Sequence, residues 1–322
     1  MRFRLDVPDG QASGRRAMAA EVRAALAVRP RSIPSKYFYD ATGSELFDRI
    51  CELPEYYLTR AEHALLERFA GEIAETTGAE SLLEIGSGMA RKTGLLAGAM
   101  CARCDAVYVP FDISREAIEA SAKALLAAHP RLHVHGVIGD FARDLPRLVN
   151  SAPHATRLFA FLGSTIGNLD EVAAPAFLGQ IAALMRPRDW FLLGVDLVKD
   201  ERVLHAAYND SAGVTAEFNR NILRAVSREL DGDFDPSAFE HVAFYDSQRE
   251  RIEMHLEATR AHRVFLRAID LWFDLAAGER VMTEISRKFT RASVERTLAG
   301  GGMRLERWLA DDHFALVLAR RA

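Results

Sequence analysis

The chain has 322 residues, 49% of them hydrophobic, and a formal net charge of −4 at pH 7. That length suffices for one large domain, or one and a half, with a substantial core, and the mildly acidic balance argues against a nucleic-acid or membrane-surface partner. No apolar run approaches the roughly 18 residues of a membrane span, and no apolar segment follows the charged N-terminus as a signal peptide requires, so the sequence predicts a cytoplasmic protein.

From residue 61 onward the sequence alternates helix and strand patterns, which indicates a parallel α/β sheet. The five predicted strands are SLLEIG, AVYVPFDIS, LHVHGVIGDF, RLFAFLGST and DWFLLGVDL. After the fifth strand the alternation stops. The segment HAAYNDSAGVTAEFNRNILRAVSREL predicts one long helical stretch, and the residues from there to Phe289 predict alternating strands that are polar on one face.

The C-terminal end indicates the fold class. TRASVERTLAGGGM predicts a helix, and RLERWL and HFALVLA predict two strands around a turn. Such a hairpin completes the seven-stranded sheet typical of methyltransferases, whereas a dehydrogenase sheet more often stays parallel to its edge. We therefore predict an α/β protein with a Rossmann-like class I methyltransferase sheet and an inserted α+β substrate-binding domain. The predicted core spans residues 61–200 and 290–322, the insertion spans 201–289, and 1–60 form an N-terminal segment that contributes to the substrate site.

The segment LLEIGSGMARKT, residues 82–93, follows the first of these strands and has glycines spaced as in a ligand-binding loop. It matches neither common phosphate-binding pattern. Arg91 stands where a P-loop needs the glycine before Lys-Thr, and where a dinucleotide loop needs its third glycine. Gly86 and Gly88 still let the backbone approach a ligand closely. S-Adenosylmethionine fits this combination, because it contains an adenosine and a methionine zwitterion but no phosphate.

Polar residues at successive strand ends, where ligands of such sheets bind, support this choice. Asp112 ends the second strand, where a carboxylate can accept from both ribose hydroxyls. Asp140 ends the third, where it can accept from the adenine amino group while Phe141 packs on the ring. Lys92, in the first turn of the next helix, is placed to pair with the methionine carboxylate. The alternative for each acid is a helix N-cap, since both stand just before helical segments.

Two other patterns have spacings typical of redox or metal chemistry. Cys101 and Cys104 form CARC, but they follow a helix, whereas a thioredoxin-type site opens one, so ordinary thiols are the favoured interpretation. His133 and His135 alternate as in a strand without a third metal ligand nearby. With Cys51 the chain has three cysteines, too few for a disulfide framework. We expect no metal site.

The identity of the methyl acceptor is restricted first by a missing motif and then by a resemblance to a known family. The [DN]-P-P-[YF] motif of nucleobase amino-methyltransferases is missing after the fourth strand, where GSTIGNLD stands, so a small-molecule acceptor is favoured. Longer motifs, from about residue 30 onward, resemble the histidine-specific Nα-methyltransferases of ergothioneine biosynthesis. They are SKYFYDATGSELFDRICELPEYYLTRAE, EIGSGMARKT, FLGSTIGN, AAYND and TEISRKF. The resemblance implies that S-adenosylmethionine trimethylates the α-amino group of L-histidine, giving hercynine.

The same motifs imply individual site residues. The cofactor positions are Gly86, Lys92, Asp112, Asp140 and Phe141. The substrate positions are Tyr39, Tyr56, Gly163, Asn168, Tyr208, Met254, Glu284 and Ser286. No catalytic base is implied, and none is required, because a peptide α-amine titrates near pH 8 and its neutral form is accessible at a modest cost in free energy. We expect a monomer whose partners are small molecules.

Simple chemistry agrees with part of this set. Glu284 and Ser286 are two residues apart in an alternating segment, so they point to one face of a strand, and a carboxylate beside a hydroxyl can bind both nitrogens of an imidazole. The alternatives are a solvated edge strand here, core packing for Tyr56, and an amphipathic helix start for Tyr208. Two other functions remain open: a methyltransferase for another aromatic amino acid or amine, and a non-catalytic S-adenosylmethionine-binding protein.

Overall fold

The computed structural model describes residues 2–7, 12–90, 92–141, 143–152 and 156–322, so Arg91 of the glycine loop lies outside the described residues. The chain divides into two compact units. The first comprises the described residues of Met1–Asp9, Leu58–Val198 and Lys288–Ala322, and the second those of Gly10–Tyr57 and Lys199–Arg287. Among the described residues, none of the helices combines the length and the apolar character of a membrane-spanning segment.

The regular elements are numbered along the chain. The strands are β1 (Phe3–Asp6), β2 (Arg31–Ser32), β3 (Ser81–Ile85), β4 (Ala106–Asp112), β5 (Leu132–Ile138), β6 (Arg157–Phe161), β7 (Trp190–Asp196), β8 (Phe239–Asp246), β9 (Arg251–Ala258), β10 (His262–Leu266), β11 (Leu271–Leu275), β12 (Arg280–Arg287), β13 (Met303–Ala310) and β14 (Phe314–Arg321). The helices are α1 (Ala12–Ala27), α2 (Ala41–Glu52), α3 (Leu58–Thr77), α4 (Thr93–Cys101), α5 (Arg115–Ala128), α6 (Leu145–Asn150), α7 (Ala173–Leu184), α8 (Glu201–Tyr208), α9 (Val214–Leu230) and α10 (Arg291–Gly300).

The first unit contains an eight-stranded sheet in the order β1-β5-β4-β3-β6-β7-β14-β13. The strands from β1 to β7 in this order are parallel, β14 is antiparallel to β7, and β13 is antiparallel to β14. The predicted parallel sheet with its terminal antiparallel hairpin is thus confirmed. Strand β1 adds an eighth member beside β5 that the sequence did not predict, because its four residues, FRLD, show no apolar run.

Helices cover both faces of this sheet, which explains why its central strands are apolar throughout. All five residues of β3 and of β6 are buried. On one face, side chains of α3, α4 and α5 pack against residues such as Leu82 and Leu158. On the other face, α6, α7 and α10 pack against residues such as Leu83 and Phe159. The strand alternation therefore divides the core into two layers.

The second unit contains a four-stranded sheet, a two-stranded sheet and helices. The larger sheet has the order β2-β12-β9-β8, with β2 parallel to β12 and the other neighbours antiparallel. The smaller sheet pairs β10 with β11. An aromatic contact connects the N-terminal part to α9: the rings of Phe38 and Phe218 are stacked with centroids 4.4 Å apart.

One helix prediction was wrong. The stretch predicted as a single long helix is divided into α8 and α9 by a turn over residues 209–213. Gly213 lies in the left-handed region at φ +70°, and the Asp210 carboxylate accepts from the N–H groups of Val214 and Thr215 at 2.9 and 2.8 Å. The letters NDSAG are turn chemistry, and this local signal outweighed the apolar periodicity on either side.

Candidate active site

The glycine loop leaves the end of β3 with its backbone in conformations that favour glycine. Gly86 has φ +68° and Gly88 has φ +49°. The Gly86 N–H donates to the Phe111 carbonyl at 2.8 Å, which ties the loop to the neighbouring strand. A Cβ added at either glycine would meet no atom within 4 Å. The backbone conformation therefore favours glycine at both positions, and the space beside the loop admits the close approach of a ligand.

Asp112 lies beside this loop at the end of β4. One carboxylate oxygen accepts from the Gly88 N–H at 2.8 Å, and the other accepts from the Ser114 N–H at 3.0 Å. Burial raises the pKa of Asp112, although these backbone hydrogen bonds oppose the rise. The N-cap of α5 is Ser114, so the capping alternative for Asp112 was wrong. Each carboxylate oxygen has a second lone pair with which to accept from a ligand hydroxyl.

Asp140 and Phe141 follow β5. The Asp140 N–H donates to the Asp144 carboxylate at 2.9 Å, and Asp144, rather than Asp140, is the N-cap of α6. The capping alternative for Asp140 was therefore wrong as well. Phe141 packs edge-on against Phe177 and Phe161 with centroids 5.4 and 6.1 Å away.

Lys92 stands at the N-cap position of α4, and its ammonium pairs with the carboxylate of Glu62 on α3. The Glu62 side chain has no solvent exposure, and that of Lys92 is 21% exposed. The other Glu62 oxygen accepts from the Gly163 N–H at 2.7 Å. Sequence reasoning missed Glu62, because an acid in an amphipathic helix ordinarily reads as a solvated charge.

A second buried carboxylate lies beneath the loop. Glu84, on β3, accepts from the Thr93 hydroxyl at 2.8 Å and from the Tyr108 hydroxyl. Burial raises the pKa of Glu84 to about 7, against the lowering effect of these donors. Glu84 stands two residues before Gly86 in the segment LLEIGSGMARKT, where the sequence alone indicated no role for it.

The loop after β6 contains Gly163 and ends in a short 3-10 turn at Asn168, which is half-buried. Gly163 has φ +73° and Ser164 has φ +56°. The Ser164 hydroxyl accepts from the Asp196 N–H at 2.9 Å. Asp196 in turn forms a fully buried ion pair with Lys288 at 2.9 Å, which holds the end of β7 beside this loop.

In the second unit, four of the predicted substrate residues lie together. On the antiparallel pair β12 and β9, Glu284 stands directly opposite Met254, so their side chains share a face. Ser286, two residues along β12, is buried and accepts from the Tyr208 hydroxyl at 2.8 Å. Ser286 therefore does not lie on a solvated strand face, and Tyr208 is a buried hydrogen-bond donor at the end of α8.

Two more tyrosines belong to the same unit. The Tyr56 ring lies 6.4 Å from the Tyr208 ring and 6.2 Å from that of Phe47, both edge-on. Burial raises the pKa of Tyr56 well above its ordinary value, and the nearby Tyr208 and Glu284 add smaller effects in the same direction. Tyr39 is 37% exposed and packs edge-on against Phe47 at 5.5 Å. Its hydroxyl-bearing ring thus borders the cluster.

The residue types typical of redox or metal sites make no such site in the described part of the chain. Cys51, Cys101 and Cys104 are free thiols. His133 and His135 lie in β5. No group of three or more His, Cys, Asp or Glu side chains within the described ranges is arranged to hold a metal ion.

Comparisons with known proteins were made on the whole sequence. A family model described as histidine-specific methyltransferase, SAM-dependent, matches residues 18–321. The histidine N-alpha-methyltransferase of Mycolicibacterium smegmatis is 46% identical over 313 residues, 96% of this chain and 96% of that protein. Its counterpart from Mycobacterium tuberculosis is 44% identical over 315 residues, 97% of each chain. Ergothioneine biosynthesis protein 1 of Neurospora crassa is 30% identical over 316 residues, 91% of this chain and 33% of that longer protein.

Proposed function

Because the chain belongs to the family of S-adenosylmethionine-dependent, histidine-specific methyltransferases, we propose that it methylates the α-amino group of L-histidine. Three successive transfers give hercynine, a step of ergothioneine biosynthesis. The two mycobacterial relatives are named for the Nα-transfer and the Neurospora relative for the pathway. Donor and acceptor are both small molecules. The proposal also includes a monomeric state and a cytoplasmic location.

The observation that supports histidine as the acceptor is the polar cluster on β12. Glu284 and Ser286 project from one strand face, with the Tyr208 hydroxyl bonded to Ser286. A carboxylate and a hydroxyl at this spacing suit the two ring nitrogens of imidazole, one as donor and the other as acceptor. Met254, opposite Glu284, offers an apolar surface to the ring carbons. Tyr56 and Tyr39 complete the proposed acceptor group of this unit.

The first unit fits S-adenosylmethionine. The two loop glycines leave room for its methionine part, and Lys92 would pair with the methionine carboxylate. Asp112 would accept from the ribose hydroxyls, and Asp140 with Phe141 would hold the adenine. When bound, S-adenosylmethionine supplies an electrophilic methyl group on a sulfonium. No phosphate seat is required, in keeping with the side chain at position 91, where phosphate-binding loops have a glycine.

The protein's contribution to the reaction is to hold a neutral amine in line with the methyl group. Orientation of this kind is worth about 7–11 kcal/mol in favourable cases. A peptide α-amine titrates near pH 8, and each pH unit by which the solution lies below the pKa of an amine adds about 1.4 kcal/mol to the cost of its deprotonation, so no dedicated base is needed. Asn168 has both a donor and an acceptor for a zwitterion. Gly163 offers no side chain to obstruct the methyl groups already added.

Incubation with S-adenosylmethionine and each amino acid separately, read by mass spectrometry, tests the proposal. We expect L-histidine alone to accept three methyl groups. Turnover of another aromatic amino acid or amine in place of histidine would identify the protein as a methyltransferase for that acceptor. Binding of S-adenosylmethionine without turnover of any acceptor would identify a non-catalytic binding protein.

A further inference from the structure

Glu62 connects two loops that the sequence places far apart. Its buried carboxylate pairs through one oxygen with the Lys92 ammonium at the start of α4. Through the other it accepts from the N–H of Gly163, 101 residues away along the chain. One loop belongs to the proposed cofactor site, and the other follows β6. A single side chain on α3 therefore sets the position of a cation and of a peptide group.

The fold makes room for this carboxylate. A Cβ at Gly194, in the middle of β7, would collide with the Glu62 carboxylate oxygen. Gly194 is paired with Leu316 of β14 inside the sheet, where glycine weakens a strand unless something must approach closely. A buried, ionised acid is costly without charge-assisted partners, and both of its oxygens have one. These observations describe an arranged site rather than an ordinary surface charge.

We propose that Glu62 is a positioning residue for methyl transfer, which holds the Lys92 ammonium in the geometry that the bound cofactor requires and fixes the Gly163 peptide of the proposed acceptor site. The proposal rests on the roles proposed above for Lys92 and Gly163. Lys92 is held by Glu62 from the side of α3, so its ammonium does not have to be ordered when the methionine carboxylate arrives. Preorganisation of this kind increases affinity by reducing the entropy lost on binding.

A double-mutant cycle tests whether Glu62 acts through Lys92. The variants are Glu62→Gln, Lys92→Met and the double variant, and the measurement is the Kd of S-adenosylhomocysteine by titration calorimetry. Glutamine has one acceptor atom in place of two, so it cannot satisfy both donors and turns an N–H towards one of them. We expect each single variant to weaken binding on the order of tenfold to a hundredfold. The double variant should be no weaker than Lys92→Met alone.

Controls separate positioning from a merely structural role. Glu67→Gln, an exposed acid on the same helix, should leave the Kd unchanged. If the effects of Glu62→Gln and Lys92→Met multiply in the double variant, Glu62 acts independently of Lys92 and the proposal is overturned. Tighter binding in Glu62→Gln would overturn it too, by showing that Glu62 competes with the cofactor for Lys92.

Two further comparisons keep the result interpretable. If Glu62→Gln alone does not fold, the comparison of Lys92→Met with the double variant, in which neither member of the pair is charged, still decides the question: equal Kd values support the proposal, and a further loss overturns it. S-Adenosylhomocysteine binding needs no acceptor. A failure to methylate histidine would therefore refute the proposed function while leaving the outcome of the cycle to stand by itself.

Discussion

Glu284→Ala should impair histidine turnover selectively. The carboxylate is half-buried on β12, opposite the buried Met254 and two residues from the Tyr208–Ser286 hydrogen bond. If it accepts from the imidazole N–H, its removal forfeits a charge-assisted hydrogen bond of about 1.5–3 kcal/mol and leaves the substrate donor without a partner. The corresponding decrease in kcat/KM for histidine is about 10- to 150-fold. Because Glu284 is not one of the proposed cofactor residues, the affinity for S-adenosylmethionine should barely change.

The assay is steady-state turnover of histidine and of phenylalanine, with cofactor affinity by calorimetry. Apolar aromatic amino acids should gain relative to histidine, because the vacated space no longer contains a carboxylate to desolvate. Glu284→Gln keeps one acceptor oxygen and should lose less than the alanine variant. Glu240→Ala, an exposed acid on β8 of the same sheet, is the matched control. Equal histidine kinetics in wild type and Glu284→Ala would remove this residue from the site and reopen the identity of the acceptor.

Three further changes give separable results. Asp112→Ala should weaken S-adenosylmethionine binding by about 1.5–3 kcal/mol for each ribose hydrogen bond lost; unchanged affinity by calorimetry would exclude the ribose role. Tyr208→Phe removes the hydrogen bond that the Tyr208 hydroxyl donates to the buried Ser286. It should lower the free energy of unfolding by about 0.5–1.5 kcal/mol and reduce histidine turnover, with cofactor affinity unchanged; stability equal to wild type in urea would contradict the first part. Glu84→Gln should remove a loss of stability that accompanies the rise of pH from 4.5 to about 7.

The sheet was predictable because its signal is local. Apolar runs between turn residues located the five central strands, and the terminal hairpin distinguished this sheet from a dehydrogenase sheet. The misses have local causes as well. Strand β1 is only four residues long and lacks an apolar pattern, and the break between α8 and α9 depends on the Asp210 cap. Periodicity on both sides of that turn favoured a single helix.

The positions of the proposed cofactor residues along the chain could also be predicted from the sequence. The loop glycines, Asp112 and Asp140 follow strand ends that the sequence itself marks. Glu62 was not accessible, because its role depends on an N–H contributed from 101 residues away. The buried pair of Lys288 with Asp196, 92 positions apart (288 − 196), was missed for the same reason. Such contacts exist only after the sheet has brought separate strand ends together.

The pH dependence of stability offers a test of the buried carboxylate beneath the glycine loop. Burial raises the pKa of Glu84 from 4.5 to about 7, so the folded protein keeps this proton up to about pH 7 while the unfolded chain loses it near 4.5. Since the folded state binds more protons in that window, stability falls as pH rises through it, by about 3 kcal/mol in total, and changes no further above it.

Urea unfolding at intervals from pH 4.5 to 8, for wild type, Glu84→Gln and the exposed control Glu80→Gln, measures this effect. Burial lowers the pKa values of His241 and His255, which makes the free energy of unfolding increase with pH near pH 6. The informative quantity is therefore the difference in the free energy of unfolding between wild type and Glu84→Gln. That difference should decline by about 3 kcal/mol across the window. A difference that stays constant or grows with pH would mean that the Thr93 and Tyr108 hydroxyls stabilise the carboxylate by more than burial costs it. Methyl transfer needs a neutral α-amine and is favoured towards pH 8. At that pH Glu84 is ionised, so the pH that favours the reaction is one at which the folded protein is less stable than it is with Glu84 protonated.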